Sequence, residues 1–193
     1  VTVHLGNGCS ACAVREGESV DTTMGLTPLE GLVMGTRSGD IDAGVLGYVG
    51  PRLALDLAGV VSELTSASGL LGLSGLSNDM RTLVEAAADG HSDAALAVDV
   101  FSYRAAKAVC AMACALDRVD AVVLTGGIGE HAVSVRSRIM AHLSVLGVVE
   151  DAAANASHGG TSGRVSTEGS TAVLVVPTDE ELVIARDTAA LVG

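Results

Sequence analysis

A cluster of glycines ends a strongly apolar run in the second half of the sequence. Val122–Thr125 leads into Gly126-Gly127-Ile128-Gly129, and a periodic, helix-like segment follows. Glycine lets a backbone approach a ligand closely, and a helix N-terminus offers unpaired N–H groups and a positive dipole end. The pattern therefore favours a phosphate or nucleotide site, although the same turn also closes ordinary strand–helix units that bind nothing.

Four more junctions in the chain are polar and either rich in glycine or shaped like helix caps. They are Leu5–Gly8, Gly35–Asp40, Ser77–Arg81 and Thr178–Glu181. Arg37 stands between two glycines of the second junction, so it can project from a flexible backbone. A functional role is favoured for it over a solvated loop arginine, because Asp40 and Asp42 follow at once.

The elements that must position these junctions form a mixed α/β pattern. The chain opens as a three-stranded antiparallel meander, with strands predicted at Val1–His4, Ser10–Val14 and Ser19–Met24 and an Asn-Gly turn after the first. A β-α-β-α order closes it, with strands at Val119–Thr125, Arg164–Ser166 and Thr171–Val176, a helix from Glu130 or His131 to Leu146, and a last helix at Glu180–Leu191.

The middle of the chain is predicted to be mainly helical. Helices are expected at Asp40–Gly50 with Asp40 as its cap, at Arg52–Ala67 after Pro51, at Met80–Ala88 and at Ser92–Leu116. Gly25–Gly39 is predicted to be irregular, and Ser68–Gly75 and Asp151–Gly163 are predicted to be loops. A long irregular stretch in a compact domain is usually functional.

Composition excludes some partners. The 193 residues carry a formal net charge of -12, which argues against non-specific binding to nucleic acid or to an anionic membrane. No run approaches the roughly 20 apolar residues of a membrane span. No basic n-region with a hydrophobic stretch opens the chain, so no signal peptide is visible. The chain begins without Met and with strand-like residues, which indicates a piece of something longer.

Two of the four cysteines form a C-x-x-C motif. Cys9 and Cys12 lie in a strand pattern, where positions three apart face opposite sides of a sheet. A metal or redox role is therefore the lesser alternative, and a reducing, cytoplasmic compartment is the simpler inference.

Six segments resemble, in order along the whole chain, the signature segments of acetate kinases, which belong to the actin-like ATPase superfamily with its ribonuclease H-like domains. They are His4–Gly8, Val20–Gly25, Met34–Asp40, Ser68–Gly72, Thr125–Glu130 and Pro177–Leu182. The resemblance implies a single domain, residues 1–193, that corresponds to the C-terminal nucleotide-binding half. It also implies that an N-terminal half is missing, and that this polypeptide alone is inactive or nearly so.

The resemblance implies an enzyme that transfers the γ-phosphoryl group of ATP to acetate, with Mg²⁺, to give acetyl phosphate and ADP. Arg37 and Asn7 would be catalytic, and Pro28 would line the acetate pocket. Glu180 would hold the metal; the alternative is that its carboxylate only complements the dipole of the last helix. The residues implied to bind the nucleotide are His4, Leu5, Gly6, Asn7, Gly8, Asp79, Met80, Arg81, Gly127, Ile128, Gly129, Glu130 and His131.

Some features leave alternatives open. His131 stands where the family usually has Asn, and His4 is equally compatible with a structural role in its turn. Leu26 stands where the family often has Phe, so a propionate kinase is an alternative. A non-catalytic nucleotide-binding or dimerisation module is another. The resemblance further implies a homodimer, and the apolar side chains of the last helix are expected to lack part of their cover.

Overall fold

A computed structural model describes residues 1–160 and 163–192, with only the backbone of Glu180. Its centre is one five-stranded sheet of order β3-β2-β1-β4-β5. The strands are β1 (Thr2–Leu5), β2 (Cys9–Arg15), β3 (Glu18–Thr22), β4 (Ala121–Thr125) and β5 (Ala172–Val175). β1 pairs antiparallel with β2 and parallel with β4, and β4 pairs parallel with β5. The predicted three-stranded antiparallel meander is confirmed.

Alternation along the strands builds the core. Val3 and Leu5 of β1 are fully buried, as are Val122 and Leu124 of β4, while the residues between them are partly exposed. In β2, Cys9 is buried and Cys12 faces the other side, as its spacing predicts. Burial raises the pKa of the Cys9 thiol to about 12. Among the described residues no group of three or more His, Cys, Asp or Glu could hold a metal.

Nine helices are found in the described part of the chain. They are α1 (Gly44–Leu53), α2 (Leu57–Ser66), α3 (Gly69–Ser74), α4 (Met80–Ala88), α5 (Ser92–Ala113), α6 (Gly126–His131), α7 (Val133–His142), α8 (Ala152–Ala156) and α9 (Glu180–Val192). The longest helix, α5, buries Ala97, Val98, Phe101 and Ala105 against its neighbours. Small residues along α5 let the sheet and the other helices approach it closely.

The predicted helices between residues 40 and 67 were wrong in their boundaries. Asp40 does not cap a helix, because its carboxylate accepts a hydrogen bond from Gly31 N (2.7 Å) and pairs with Arg104 (3.3 Å). α1 begins only at Gly44, and Pro51 lies inside it instead of opening the next helix. The cap of α2 is Asp56, whose side chain accepts from Gly59 N at 2.8 Å.

Four other predictions also need correction. Ser68–Gly75 contains the helix α3, and Asp151–Gly163 contains α8, whose cap is Asp151. The helix predicted to reach Leu146 is divided into α6, α7 and a 3₁₀ turn, and α6 already begins inside the glycine cluster. Around Arg164–Ser166 there are isolated bridges to Leu174 and Glu150 instead of a strand.

Three helices contribute little to the core, and we call α1, α2 and α9 the outer helices. Their exposed apolar side chains include Tyr48 (59% exposed), Leu57 (66%), Ile184 (65%) and Leu191 (87%). The expectation that the last helix lacks cover is confirmed. In the described residues no single helix is long and apolar enough to cross a membrane; α1 and α2 qualify only together, with a bend of 101° between them.

Candidate nucleotide-binding site

The two main glycine turns meet because β1 and β4 are parallel neighbours. His4 lies beside Thr125 in the register, so the chain leaves both strands at the same edge of the sheet. Ligands of α/β folds usually bind at the carboxyl ends of parallel strands. The topology thus brings Leu5–Gly8 and Gly126–His131 together, although more than 110 residues separate them in the sequence.

A pocket of about 840 Å³ opens at this edge. Three segments line it, and we call them together the pocket wall: the β1–β2 turn, the start of α4 and the region from α6 to the start of α7. The lining residues are Gly6, Asn7, Asn78, Asp79, Met80, Arg81, Val84, Glu85, Gly127, Ile128, His131, Ala132, Val133 and Ser134. Eight of the thirteen residues predicted to bind the nucleotide are therefore brought together.

Asn7 is held at the mouth of the pocket by two neighbouring segments. Its side-chain oxygen accepts a hydrogen bond from Asn78 Nδ2 at 3.1 Å, and its carbonyl accepts from Gly35 N at 2.9 Å. A Cβ at Gly35 would overlap the Asn7 amide, so glycine is required there for Asn7 to keep this position. Asn7 is exposed, and the hydrogen bond that its side-chain oxygen accepts from Asn78 fixes the orientation of its amide group.

Arg37 lies beside the same turn. Its Nη1 donates to Pro28 O at 3.2 Å and contacts Met34 Sδ at 3.7 Å. A Cβ added at Gly8 would lie 3.6 Å from that nitrogen. Among the described residues no carboxylate pairs with Arg37, so the half-buried cation remains available to an anion next to Gly8.

The start of α4 supplies a polar rim and an apolar floor. Asp79 caps the helix by accepting from Thr82 N at 2.9 Å, and this backbone hydrogen bond is the main reason that the pKa of Asp79 is lowered. Met80 is almost completely buried, whereas Arg81 is exposed. An apolar surface edged by polar groups suits the flat, polar-edged base of a nucleotide.

The short helix α6 forms another side of the pocket. Gly126 has φ +79°, and a Cβ there would lie 2.8 Å from Leu5 O, so only glycine fits against β1. Gly127 is exposed and a Cβ there would meet nothing within 4 Å. The close approach at Gly126 and the open space at Gly127 give α6 a smooth face toward the pocket.

Five of the predicted nucleotide residues do not line the pocket. Leu5 is a core residue, Gly8 lies next to the Arg37 guanidinium, and Gly129 is buried. The Glu130 carboxylate instead accepts hydrogen bonds from Thr178 N (3.0 Å) and Thr178 Oγ1 (3.2 Å). The His4 ring lies between the two turns, 3.2 Å from a Cβ placed at Gly6 and 3.0 Å from one placed at Gly126. A structural role for His4 is compatible with this position.

Pro28 and Glu180 are not part of this pocket. Pro28 is exposed and contributes only its carbonyl to Arg37. The Glu180 side chain lies outside the described residues, so its predicted role as a metal ligand stays a prediction.

Sequence reasoning missed several lining residues. Asn78 lies in the capping segment that the sequence did mark, and Val84 follows Met80 by one helical turn, so both were within reach. Ala132–Ser134 gives no comparable signal.

Thr125, at the end of β4, has the one buried side-chain oxygen without a hydrogen-bond partner in the described part of the chain.

Comparisons with known proteins agree with this fold. The chain is 40% identical to an acetate kinase of Porphyromonas gingivalis of known structure, with a TM-score of 0.91 over 100% of this chain and 48% of the other. For a propionate kinase of Francisella tularensis the identity is 44% and the TM-score 0.89, over 96% and 47%. These likenesses place the domain in the actin-like ATPase fold.

Sequence relatives define the family. The profile described as the Acetokinase family matches residues 1–186. Acetate kinases of Stutzerimonas stutzeri and Deinococcus radiodurans are 56% and 54% identical over 99% and 100% of this chain. The chain therefore belongs to the acetokinase family. It spans about half the length of these relatives, 49% of each.

Proposed function

We propose that this chain is the nucleotide-binding domain of an acetate kinase, which transfers the γ-phosphoryl group of ATP to acetate and yields acetyl phosphate and ADP. One observation carries the proposal: the pocket wall unites Gly6, Asn7, Asp79 and Gly127 in one cavity, beside Arg37. Family membership supports kinase chemistry. The assignment to the C-terminal half follows from the resemblance of the signature segments.

The residues present fit an adenosine nucleotide. A volume of about 840 Å³ lies within the range of ligand pockets, and Met80, Val84 and Ile128 offer apolar surface for a base. Gly6 and Gly127 leave room where side chains would otherwise stand. Asn7 and the nearby cation of Arg37, which pairs with no carboxylate of the described residues, are suited to phosphate oxygens.

These groups would act mainly by alignment and charge. A phosphoryl group in transfer spreads negative charge over its equatorial oxygens, and donors fixed beforehand stabilise that charge without reorganising. Arg37 is such a donor, because Pro28 O and Met34 hold its guanidinium next to Gly8. Bound Mg²⁺ would neutralise phosphate charge, and Glu180 is the residue predicted to hold it.

The acyl group is less well defined by this chain. Leu26 is fully exposed and Pro28 is exposed, so neither forms an enclosed pocket within the described residues. Relatives of similar identity include both an acetate and a propionate kinase. We propose acetate as the substrate from the larger sequence resemblance, and propionate is the alternative.

A nucleotide titration by calorimetry tests the proposal on the 193-residue chain. ATP and ADP should bind, and Asn7→Ala should weaken binding roughly tenfold, as expected for losing a hydrogen bond to a charged group. Gly127→Val should block the pocket while leaving the fold intact, because its Cβ meets open space. Gly47→Ala is the matched control, since Gly47 lies in α1 and not in the pocket wall.

The same titration separates the second candidate function, a dimerisation module. The exposed apolar surface of the outer helices favours association, and a homodimer is part of our proposal. If the wild-type chain binds neither nucleotide yet forms dimers in light scattering, the module is the better description and the kinase assignment of this pocket is wrong.

A further inference from the structure

The largest fully buried side chain in the described structure is an arginine. Arg136, in α7, is 0% exposed. Burying a guanidinium is unfavourable unless its donors are satisfied. Burial lowers the pKa of Arg136, and the nearby charge of Glu150 opposes that shift. Filling space in the core does not by itself explain why an arginine is buried at this position.

All five N–H groups of Arg136 have an acceptor. Nε donates to Asn155 Oδ1 (2.7 Å), and Nη2 donates to Asn155 O (2.8 Å) and to His158 Nδ1 (3.1 Å). Nη1 donates to Gly129 O (3.0 Å) and Glu130 O (2.8 Å). Because a guanidinium has donors only, His158 Nδ1 must accept.

The acceptors of Arg136 are fixed in turn. Asn155 is also fully buried, and its Nδ2 donates to Glu150 Oε1 at 2.7 Å and to Ser137 Oγ at 3.0 Å. Ser137 Oγ donates to the same carboxylate oxygen at 2.6 Å. No carboxylate of the described residues pairs directly with Arg136. The guanidinium is thus held rigidly, and Asn155 links it by hydrogen bonds to the Glu150 carboxylate.

Two acceptors of Arg136 are carbonyls at the C-terminal end of α6, the helix that forms one side of the pocket wall. Such carbonyls have no partner within their own helix, and a cation there is favourable. α6 has only six residues, three of them glycine, so it has little helical stability of its own. Its position must therefore be fixed from outside.

A second link leads from Arg136 to the pocket. The His158 ring, which accepts from Arg136, makes an edge contact with the His131 ring at 6.3 Å between centroids. His131 lines the pocket, whereas Arg136 and His158 do not. Arg136 thus reaches the wall through the α6 backbone and through a neighbouring imidazole, without touching the ligand space.

We propose that Arg136 is a positioning residue for nucleotide binding: it clamps the α6 carbonyls and His158 so that Gly127, Ile128 and His131 are preset for an adenosine nucleotide. The proposal rests on the proposed function for its ligand. If the preset arrangement falls to a tenth of the molecules, nucleotide affinity falls about tenfold.

Hydrogen exchange without nucleotide tests the clamp itself. Arg136→Lys keeps the charge but loses the planar fork, and exchange of the amides of residues 126–131 should rise by about tenfold or more. Arg164→Lys is the matched control, because Arg164 also donates to three backbone carbonyls, those of Ser166, Thr167 and Ser170, away from the pocket wall. Unchanged exchange at 126–131 in Arg136→Lys, or an equal rise in Arg164→Lys, would overturn the proposal.

A milder variant guards against loss of the whole fold. His158 has φ +55°, so His158→Gly removes the ring without adding backbone strain. Exchange at His131 should rise by a smaller factor than in Arg136→Lys. No change at His131 would show that the link through His158 has no role, and the proposal in this form would be wrong.

ADP titration then completes the test. Arg136→Lys should weaken ADP binding about tenfold, and Arg164→Lys should leave it unchanged. Equal affinities of wild type and Arg136→Lys would refute the positioning role. If the wild-type chain binds no nucleotide, the proposed function is the part that fails, and the exchange data still decide whether Arg136 holds α6.

Discussion

The pocket wall and the outer helices are packed in opposite ways. The segments of the pocket wall are fixed by glycines at close backbone contacts, by the capped start of α4, and by Arg136, which lies outside the pocket and makes five hydrogen bonds. In the outer helices, apolar side chains such as Tyr48, Leu57 and Leu191 are mostly exposed. The comparison shows that one region completes its packing within this chain, whereas the other leaves apolar side chains exposed.

The largest expected effect concerns turnover. We predict that the 193-residue polypeptide alone forms acetyl phosphate at least about a thousandfold more slowly than a complete family member, because holding reactants in a closed site supplies much larger factors than this. A coupled assay of ADP release in the presence of acetate measures it. Turnover comparable with that of a full-length relative would contradict this prediction.

A pair of leucines compares the two regions by stability. Leu124→Ala, in β4, should lower the free energy of unfolding by about 2–5 kcal/mol, since the side chain is fully buried. Leu191→Ala, in α9, should change it by less than about 0.5 kcal/mol, because that side chain is 87% exposed. Urea denaturation gives both values. Similar losses in the two variants would mean that α9 is packed in solution.

A pair of glycines makes the same comparison through the backbone. Gly39 has φ +67°, and a Cβ there would overlap Leu32 O, so Gly39→Ala should destabilise the fold by about 3 kcal/mol. Gly47 lies inside α1 with nothing within 4 Å of a Cβ, so Gly47→Ala should stabilise by roughly 0.5–1 kcal/mol. Thermal unfolding of the two variants measures both changes in stability. A lower stability of Gly47→Ala would contradict an open face on α1.

The smallest effect concerns two helix caps. Asp79→Ala should cost about 1 kcal/mol at neutral pH, because Asp79 caps α4 in the pocket wall. The pKa of Asp79 is lowered on folding, so its contribution is fully present above the unfolded pKa of about 3.9 and is lost as the pH falls through the folded pKa. Denaturation at pH 7 and at pH 2 measures this difference.

Asp179 is the matched control on an outer helix. Its carboxylate accepts from Leu182 N at 3.1 Å, so it caps α9 as Asp79 caps α4. Because α9 contributes little to the core, Asp179→Ala should shift global unfolding much less. An equal loss at both positions would contradict the distinction between the two regions.

Local chemistry determined which features could be predicted from the sequence. The meander, β4 and the capped start of α4 depend on alternation, an Asn-Gly turn and Asp79, all of which are visible within a few residues. The predicted cap at Asp40 was wrong because the backbone of Gly31 and the side chain of Arg104, which is distant in sequence, engage its carboxylate. Arg136 could not be recognised, since a single arginine in a helical pattern gives no sign that five acceptors will surround it.

The pairing of β1 with β4 also has a consequence in time. Thr2 lies beside Val123 in the sheet, so the central parallel pair closes only after more than 120 residues have been synthesised. Contacts between such distant segments form late, because the chain must first lose the entropy of a long loop. We therefore expect the meander to form early on its local turns, and the cavity at the sheet edge to be completed only after β4 and α6 have formed.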